Sequence, residues 1–189
     1  MTEGVSSHVH VGEPSGWVRR FSAAIRRGGT VLDVACGSGR HARWLASAGH
    51  KVEAVDRDAA ALDALADAPG VRTLQADLES GDWPYEGRRF DAVVVANYLF
   101  RPAFAHVLGS VAPGGLLIYE TFMVGNERFG KPSNPDFLLA PDELLHLVDD
   151  RFRVVAFEQG EVAAPKAAMV QRICAIRCDG TTVELPRID

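Results

Sequence analysis

From residue 30 onward, short apolar runs alternate with stretches whose apolar residues recur at helical spacing. TVLDVA (30–35), KVEAVD (51–56), VRTLQAD (71–77), FDAVVVAN (90–97) and LLIYETF (116–122) read as strands of a buried sheet. GRHARWLASAG (39–49), DAAALDALAD (58–67) and PAFAHVLGSV (102–111) read as helices between them. An earlier helix is predicted over WVRRFSAAIRR (17–27), with Trp17, Val18, Phe21 and Ile25 on one face and Gly28 and Gly29 as its stop. ESGDWPYEGRR (79–89) has the Gly, Pro and charges of a loop, and APGG (112–115) those of a turn. VGNERFGKPSNPDF (124–137) is too long for a plain connector, and loops of that length are often functional. PDELLHLVDD (141–150) reads as a helix with Pro141 in its first turn. FRVVAFEQ (152–159) and AAMVQRICAIRCD (167–179) read as two closing strands.

Strand–helix alternation of this kind predicts an α/β domain: a doubly wound, mostly parallel sheet with helices on both faces. The last two strands have no helix between them, so an antiparallel strand is expected at the sheet edge. At 189 residues the chain suits one domain. Within it we expect an N-terminal lid and helix over 1–27, a core over 28–122, a substrate loop over 121–140 and closing strands over 141–189.

Hydrophobic residues make up 47% and charged residues 24%, the balance of a globular protein and not of a disordered one. A net charge of −5 disfavours a protein that grips nucleic acid by its phosphates. No apolar run approaches the roughly 18 residues of a membrane span, and the opening MTEGVSSHVHVGEPSG lacks the pattern of a signal peptide. Cys36, Cys174 and Cys178 form no CxxC pair, which suits a reducing cytoplasm. His8 and His10 have no third ligand beside them, so no metal site is expected.

In open parallel sheets ligands sit at the carboxyl ends of the strands. Asp33, Asp56, Asp77, Asn97 and Glu120 stand at or near the ends of five successive predicted strands. Core packing does not explain such a row, although each one alone would serve as an ordinary turn residue. The first of these loops, Gly37-Ser38-Gly39-Arg40-His41-Ala42, matches a GxGxxG/A nucleotide-binding turn, and Asp56 follows about twenty residues on, where a ribose-binding acid belongs. Asp33 bears on the choice of nucleotide. A dinucleotide pyrophosphate would meet a carboxylate just before its cradle, whereas S-adenosylmethionine carries an ammonium and a sulfonium that a carboxylate attracts.

The order VLDVACGSG, VEAVD, ADLE, FDAVVVAN, LAPGGLLIYE resembles the class I S-adenosylmethionine-dependent methyltransferases, and within them the small bacterial tellurite-resistance-type enzymes. The resemblance covers residues 28–122, with Ala35 where the family has its first glycine. It implies a Rossmann-like fold and S-adenosyl-L-methionine as cofactor. It further implies that Asp33 and the backbone of Ala35, Gly37, Ser38 and Gly39 hold the methionine part. Asp56 would accept the ribose hydroxyls, and Arg57 would lie beside the adenine. Asp77 and the Leu78 backbone would meet the adenine edge, and Asn97 would sit near the sulfur.

Methyl transfer to a phenol, hydroxyl or amide needs a base, whereas a thiolate or metalloid anion does not. Glu120 and Tyr98 are the catalytic candidates, with His106 a weaker one on a helix face. Glu120 would otherwise be an ion-pair partner for Arg128 or Lys131. Phe122, Met123 and Phe129 are candidate pocket walls, with Asn126, Lys131 and Asn134 as polar contacts. Phe137 and Leu138 are expected to pack the loop onto the sheet. Trp83 either covers the adenine or closes a small cluster elsewhere. The arginines at 19, 20, 26 and 27 read as a solvated helix face. The expected acceptor is a small molecule. A tRNA or protein acceptor, a binding protein without turnover and an NAD-dependent oxidoreductase are the alternatives.

Overall fold

The computed structural model describes residues 12–178 and Leu185. His8 and His10 lie outside the described residues. The elements are α1 (Gly16–Ser22), β1 (Thr30–Val34), α2 (Arg40–Ser47), β2 (Lys51–Asp56), α3 (Ala59–Asp63), β3 (Val71–Gln75), β4 (Phe90–Ala96), α4 (Phe104–Gly109), β5 (Val111–Phe122), α5 (Glu143–Leu147), β6 (Phe152–Val162) and β7 (Ala168–Arg177).

The seven strands form one sheet in the order β3-β2-β1-β4-β5-β7-β6. The first five pair in parallel. β7 inserts antiparallel between β5 and β6, so the reversed strand stands second from the edge and β6 forms the edge itself. Adjacent β6 and β7 are joined by a direct connection, and a direct connection can only reverse the chain.

Alternate residues of each strand feed two separate cores. Val31, Val52, Ala54 and Val94 pack with Trp17, Phe21 and Leu45 under α1, α2 and α3. Leu32, Val34, Val93 and Val95 pack with Tyr85, Val107 and Leu144 under α4 and α5. Both faces of the central strands are therefore dry, which accounts for their near-continuous apolar sequence.

The helices are shorter than the periodicity predicts. Ser15 caps α1 by accepting the Val18 N–H, and the chain leaves the helix at Ser22 although Ile25 is still buried. Asp58 caps α3 through the Ala60 and Ala61 N–H groups. α5 starts after Asp142, in left-handed geometry at φ 60°, so Pro141 precedes the helix and does not open it. The predicted turn at 112–115 lies inside β5. Pairing passes from Phe90↔Val111 to Ala92↔Leu116, so the strand bulges there. No helix links β3 to β4, which leaves most of β3 exposed, Leu74 included. Trp83, in that connection, is buried. Its Nε1 donates to Ser110 Oγ at 3.1 Å and its ring stacks on His106 at 5.6 Å. Of the two readings of Trp83, the remote cluster is the one the fold adopts, and His106 serves it from a half-exposed helix face.

The inserted strand is tied down by a buried amide. Gln171 Oε1 accepts the Leu144 N–H at 2.6 Å, and its Nε2 donates to Ala140 O and Gln159 Oε1. Gln171→Ala strands a buried N–H and a carbonyl together. Urea unfolding should show a loss of about 1–3 kcal/mol, and an unchanged midpoint would contradict this role.

Candidate functional site

The carboxyl ends of β1 to β5 meet at one edge of the sheet, and the residues expected there converge. Ala35, Asp56, Arg57, Asp77, Leu78 and Asn97 line a cavity of about 230 Å³, together with Tyr98. Ala35 (φ 51°) and Asn97 (φ 58°) both hold left-handed backbone geometry that non-glycine residues rarely adopt. Strain of this kind concentrates at functional sites. At Ala35 the positive φ is the geometry that glycine adopts most readily.

Asp56 joins the first two loops. Its Oδ2 accepts the Gly37 N–H at 2.8 Å and its Oδ1 the Asp58 N–H at 3.0 Å. Each carboxylate oxygen has a second acceptor site, so two further donors can still be held. The two glycines of the loop serve different ends. A Cβ at Gly37 would meet nothing within 4 Å, leaving room for a ligand against the backbone. A Cβ at Gly39 would collide with the Leu65 side chain at 2.4 Å, so this glycine brings α2 onto its neighbour. Ser38, between them, is half-buried.

Asp33 is 1% exposed, beneath the start of α2, and its Oδ2 has no hydrogen-bond partner among the described residues. Burial pushes its pKa up to about 7. The Ala42 N–H and Arg40 oppose that shift, and Asp56 adds to it. A buried acid with an unmet oxygen favours a cation or a donor as its partner.

Asp77 stands two residues past the end of β3, exposed, accepting the Glu79 N–H and the Ser80 hydroxyl, and these bonds depress its pKa. Tyr98 Oη is buried with no partner among the described residues. Burial, with Glu79 and Asp77 nearby, drives its pKa upward. The raised pKa keeps the Tyr98 phenol protonated, able to donate a hydrogen bond.

Asn97 also lines a second cavity of about 820 Å³ on the far side of this edge. Glu120 lies there, 7% exposed, 3.1 Å from Arg172 Nε. Its ion-pair partner is thus Arg172 on β7, and neither Arg128 nor Lys131. β5, β7 and β6 place Glu120, Arg172 and Glu158 in one cross-strand row, and Arg172 Nη1 is 3.5 Å from Glu158.

Phe122, Asn126, Phe129 and Lys131 of the predicted loop line this cavity. Asn126 is also structural, donating to Pro132 O and accepting the Met169 N–H. Met123 packs into the core, and Asn134 caps a short turn by accepting the Asp136 N–H. Leu138 is buried as expected, but Phe137 is half exposed beside a smaller cavity that includes Asn97 and Tyr98.

Two further segments line the wall, of which the sequence pointed only to the N-terminal one, within the lid expected over 1–27. The turn from β6 to β7, including Pro165 and Lys166, closes one side. Residues 13–16 close another. There Arg40 Nη1 donates to Glu13 O at 3.0 Å, and the Ser15 N–H donates to His41 Nε2 at 3.2 Å. Burial, helped by Arg40, holds the His41 pKa down to about 3, so the ring is a neutral acceptor. A histidine at the second position of the helix after the glycine loop was the available signal, and periodicity does not expose it.

The sheet order is that of the Rossmann-like methyltransferase fold, with the strand ends gathered at one edge. Residues 31–115 match the family model described as a methyltransferase domain. An uncharacterized methyltransferase of Mycobacterium tuberculosis is 40% identical over 109 residues, 53% of this chain and 54% of the relative. A tRNA U34 carboxymethyltransferase of Methylococcus capsulatus is 35% identical over 154 residues, 67% of this chain and 45% of the relative. The chain thus spans about half the length of the curated relatives it matches. In fold it is similar to TehB from Haemophilus influenzae, with a TM-score of 0.72 at 17% identity over 87% of this chain and 62% of that one. No helix among the described residues is long and apolar enough to cross a membrane.

The state of Asp33 sets a pH dependence. Its folded pKa of about 7 lies above the ordinary 3.8, so the unfolded chain releases this proton first. The contribution of this group to stability is therefore complete below pH 3.8 and is lost as pH rises to about 7. Asp33→Asn should melt higher than the wild type at pH 8 in the ligand-free state, with the difference shrinking toward pH 5. Parallel melting curves across that range would contradict the assignment.

Proposed function

We propose that this chain is an S-adenosylmethionine-dependent methyltransferase acting on a small-molecule acceptor. The observation that carries the reading is the position of Asn97, shared by the acid-lined cavity and the larger, mostly apolar one. S-adenosylmethionine, when bound, supplies a methyl group already activated for in-line displacement.

The residues of this chain then have separable tasks. Asp33 takes the ammonium in its buried socket, and Ala35 to Gly39 line the methionine part. Asp56 accepts the ribose hydroxyls, and Arg57, Asp77 and Leu78 flank the adenine. Asn97 stands where the methyl-bearing sulfur meets the acceptor. Walls from residues 13–16, the 121–140 loop and the β6–β7 turn exclude water and orient the acceptor, which is most of what such a displacement requires. Glu120 is the base for an acceptor that must lose a proton, and Arg172 fixes its position. Tyr98 contributes a donor at the edge of the cofactor cavity.

The tRNA-acting relative raises a nucleic-acid acceptor as the second reading. The net charge of −5 favours the small molecule.

Asp56→Ala should weaken S-adenosylhomocysteine binding at least about tenfold while the protein still unfolds cooperatively. Calorimetric titration with S-adenosylmethionine, S-adenosylhomocysteine and NAD checks this. Unchanged affinity in the variant, or binding of NAD alone, would overturn the cofactor assignment. Release of S-adenosylhomocysteine over an acceptor panel that includes tRNA tests turnover, and response to tRNA alone would favour the second reading.

A further inference from the structure

The larger cavity carries an uneven set of charges. Arg40, Lys131, Lys166 and Arg172 line it, against the carboxylates of Glu13 and Glu120. Two of these cations are already engaged. Arg172 lies between Glu120 and Glu158, and Arg40 holds the Glu13 carbonyl and faces Asp33. Lys131 and Lys166 differ from them. Neither has an ion pair with a carboxylate among the described residues.

These two lysines come from unconnected segments, the 121–140 loop and the β6–β7 turn. Lys166 Nζ lies 3.8 Å from the Cβ position of Gly130, immediately before Lys131. The fold thus brings to one cavity two lysines without a carboxylate partner among the described residues, and an anion between them would be attracted by both. Elsewhere the wall is apolar and aromatic, with Phe122, Phe129, Val162 and Val170. A volume of about 820 Å³ is of the size that holds a whole organic molecule, and far exceeds what an inorganic oxyanion fills.

We propose that the acceptor is an organic acid, with an apolar or aromatic body bearing a carboxylate or phosphate, and that Lys131 and Lys166 hold its anionic group at the cavity mouth. The body lies against Phe122 and Phe129, which leaves the opposite end of the molecule toward Asn97 and Glu120. This inference rests on the methyltransferase reading above and specifies its acceptor. It makes the two lysines determinants of specificity, acting on acceptor affinity and not on the chemical step. An exposed charge contributes modestly, so each should change affinity a few-fold and the pair together more.

The test uses the full chain saturated with S-adenosylhomocysteine. Ligand-observed NMR and calorimetry compare aryl carboxylic acids and aryl phosphates with the primary amides and alcohols of the same bodies. The acids should bind and their neutral counterparts bind several-fold more weakly. Carboxylates against phosphates distinguish the two head groups. Lys131→Gln and Lys166→Gln should each weaken acid binding about threefold to fivefold, more in combination. They should leave binding of the neutral compounds and of S-adenosylhomocysteine as in the wild type.

Equal binding of acids and amides overturns the proposal, as does wild-type affinity for the acids in the double variant. Failure of every acid to bind a protein that takes up S-adenosylhomocysteine overturns it too, as does competition for the cavity by single-stranded RNA alone. Failure to bind S-adenosylhomocysteine at the outset is a different result, and counts against the underlying methyltransferase reading.

Discussion

The hydrogen bond from the Gly37 N–H to Asp56 Oδ2, at 2.8 Å, organises the catalytic edge. It closes the loop after β1 onto the end of β2 and fixes where α2 begins. From that helix start Arg40 and His41 reach back to Glu13 and Ser15, and Ser15 in turn caps α1. One acidic side chain thus positions the glycine loop, the first turn of a helix and, through it, the N-terminal wall of the acceptor cavity. The same carboxylate keeps acceptor capacity for two further donors, so a ligand placed at these strand ends would meet a group already fixed by the fold.

Charge is handled differently in the two halves of the site. On the cofactor side a carboxylate is buried without a full complement of donors, and its raised pKa records the cost. On the acceptor side Glu120 is buried with a guanidinium in the next strand, and the row continues through Glu158 to Arg20 at the surface. The first arrangement awaits a ligand to complete it. The second is complete already and offers the acceptor a stiff wall.

Much of this was legible in the chain because parallel strands carry their function at one end. TVLDV, KVEAVD and FDAVVVA announce buried strands, and the acid or amide that ends each run lies where a ligand must pass. That logic located Asp33, Asp56, Asp77 and Asn97. It failed where a contact depends on register between distant strands. The pairing of Glu120 with Arg172 follows from β7 entering the sheet antiparallel beside β5, and no local pattern encodes that placement. Trp83 stayed open between two readings for a related reason. Its destination is decided by Ser110 and His106, contributed by a segment beyond the next strand. Helix ends were misjudged where the chain left the helix early, after Ser22, and where the left-handed Asp142 overrode the apolar period.

The bare outer strand β3 has a consequence for how the molecule breathes. Its backbone pairs on one side only, with β2, and no helix from the β3–β4 connection shields its face. Segments with so few buried contacts open most readily, on free-energy scales well below global unfolding. Asp77 and Leu78 hang from the end of this strand, so the subsite proposed for adenine lies beside an exposed outer strand, while the loop proposed for the methionine part follows the buried strand β1. A nucleoside bound across both would stitch them together, and amide protons of β3 would gain the most protection from exchange with solvent.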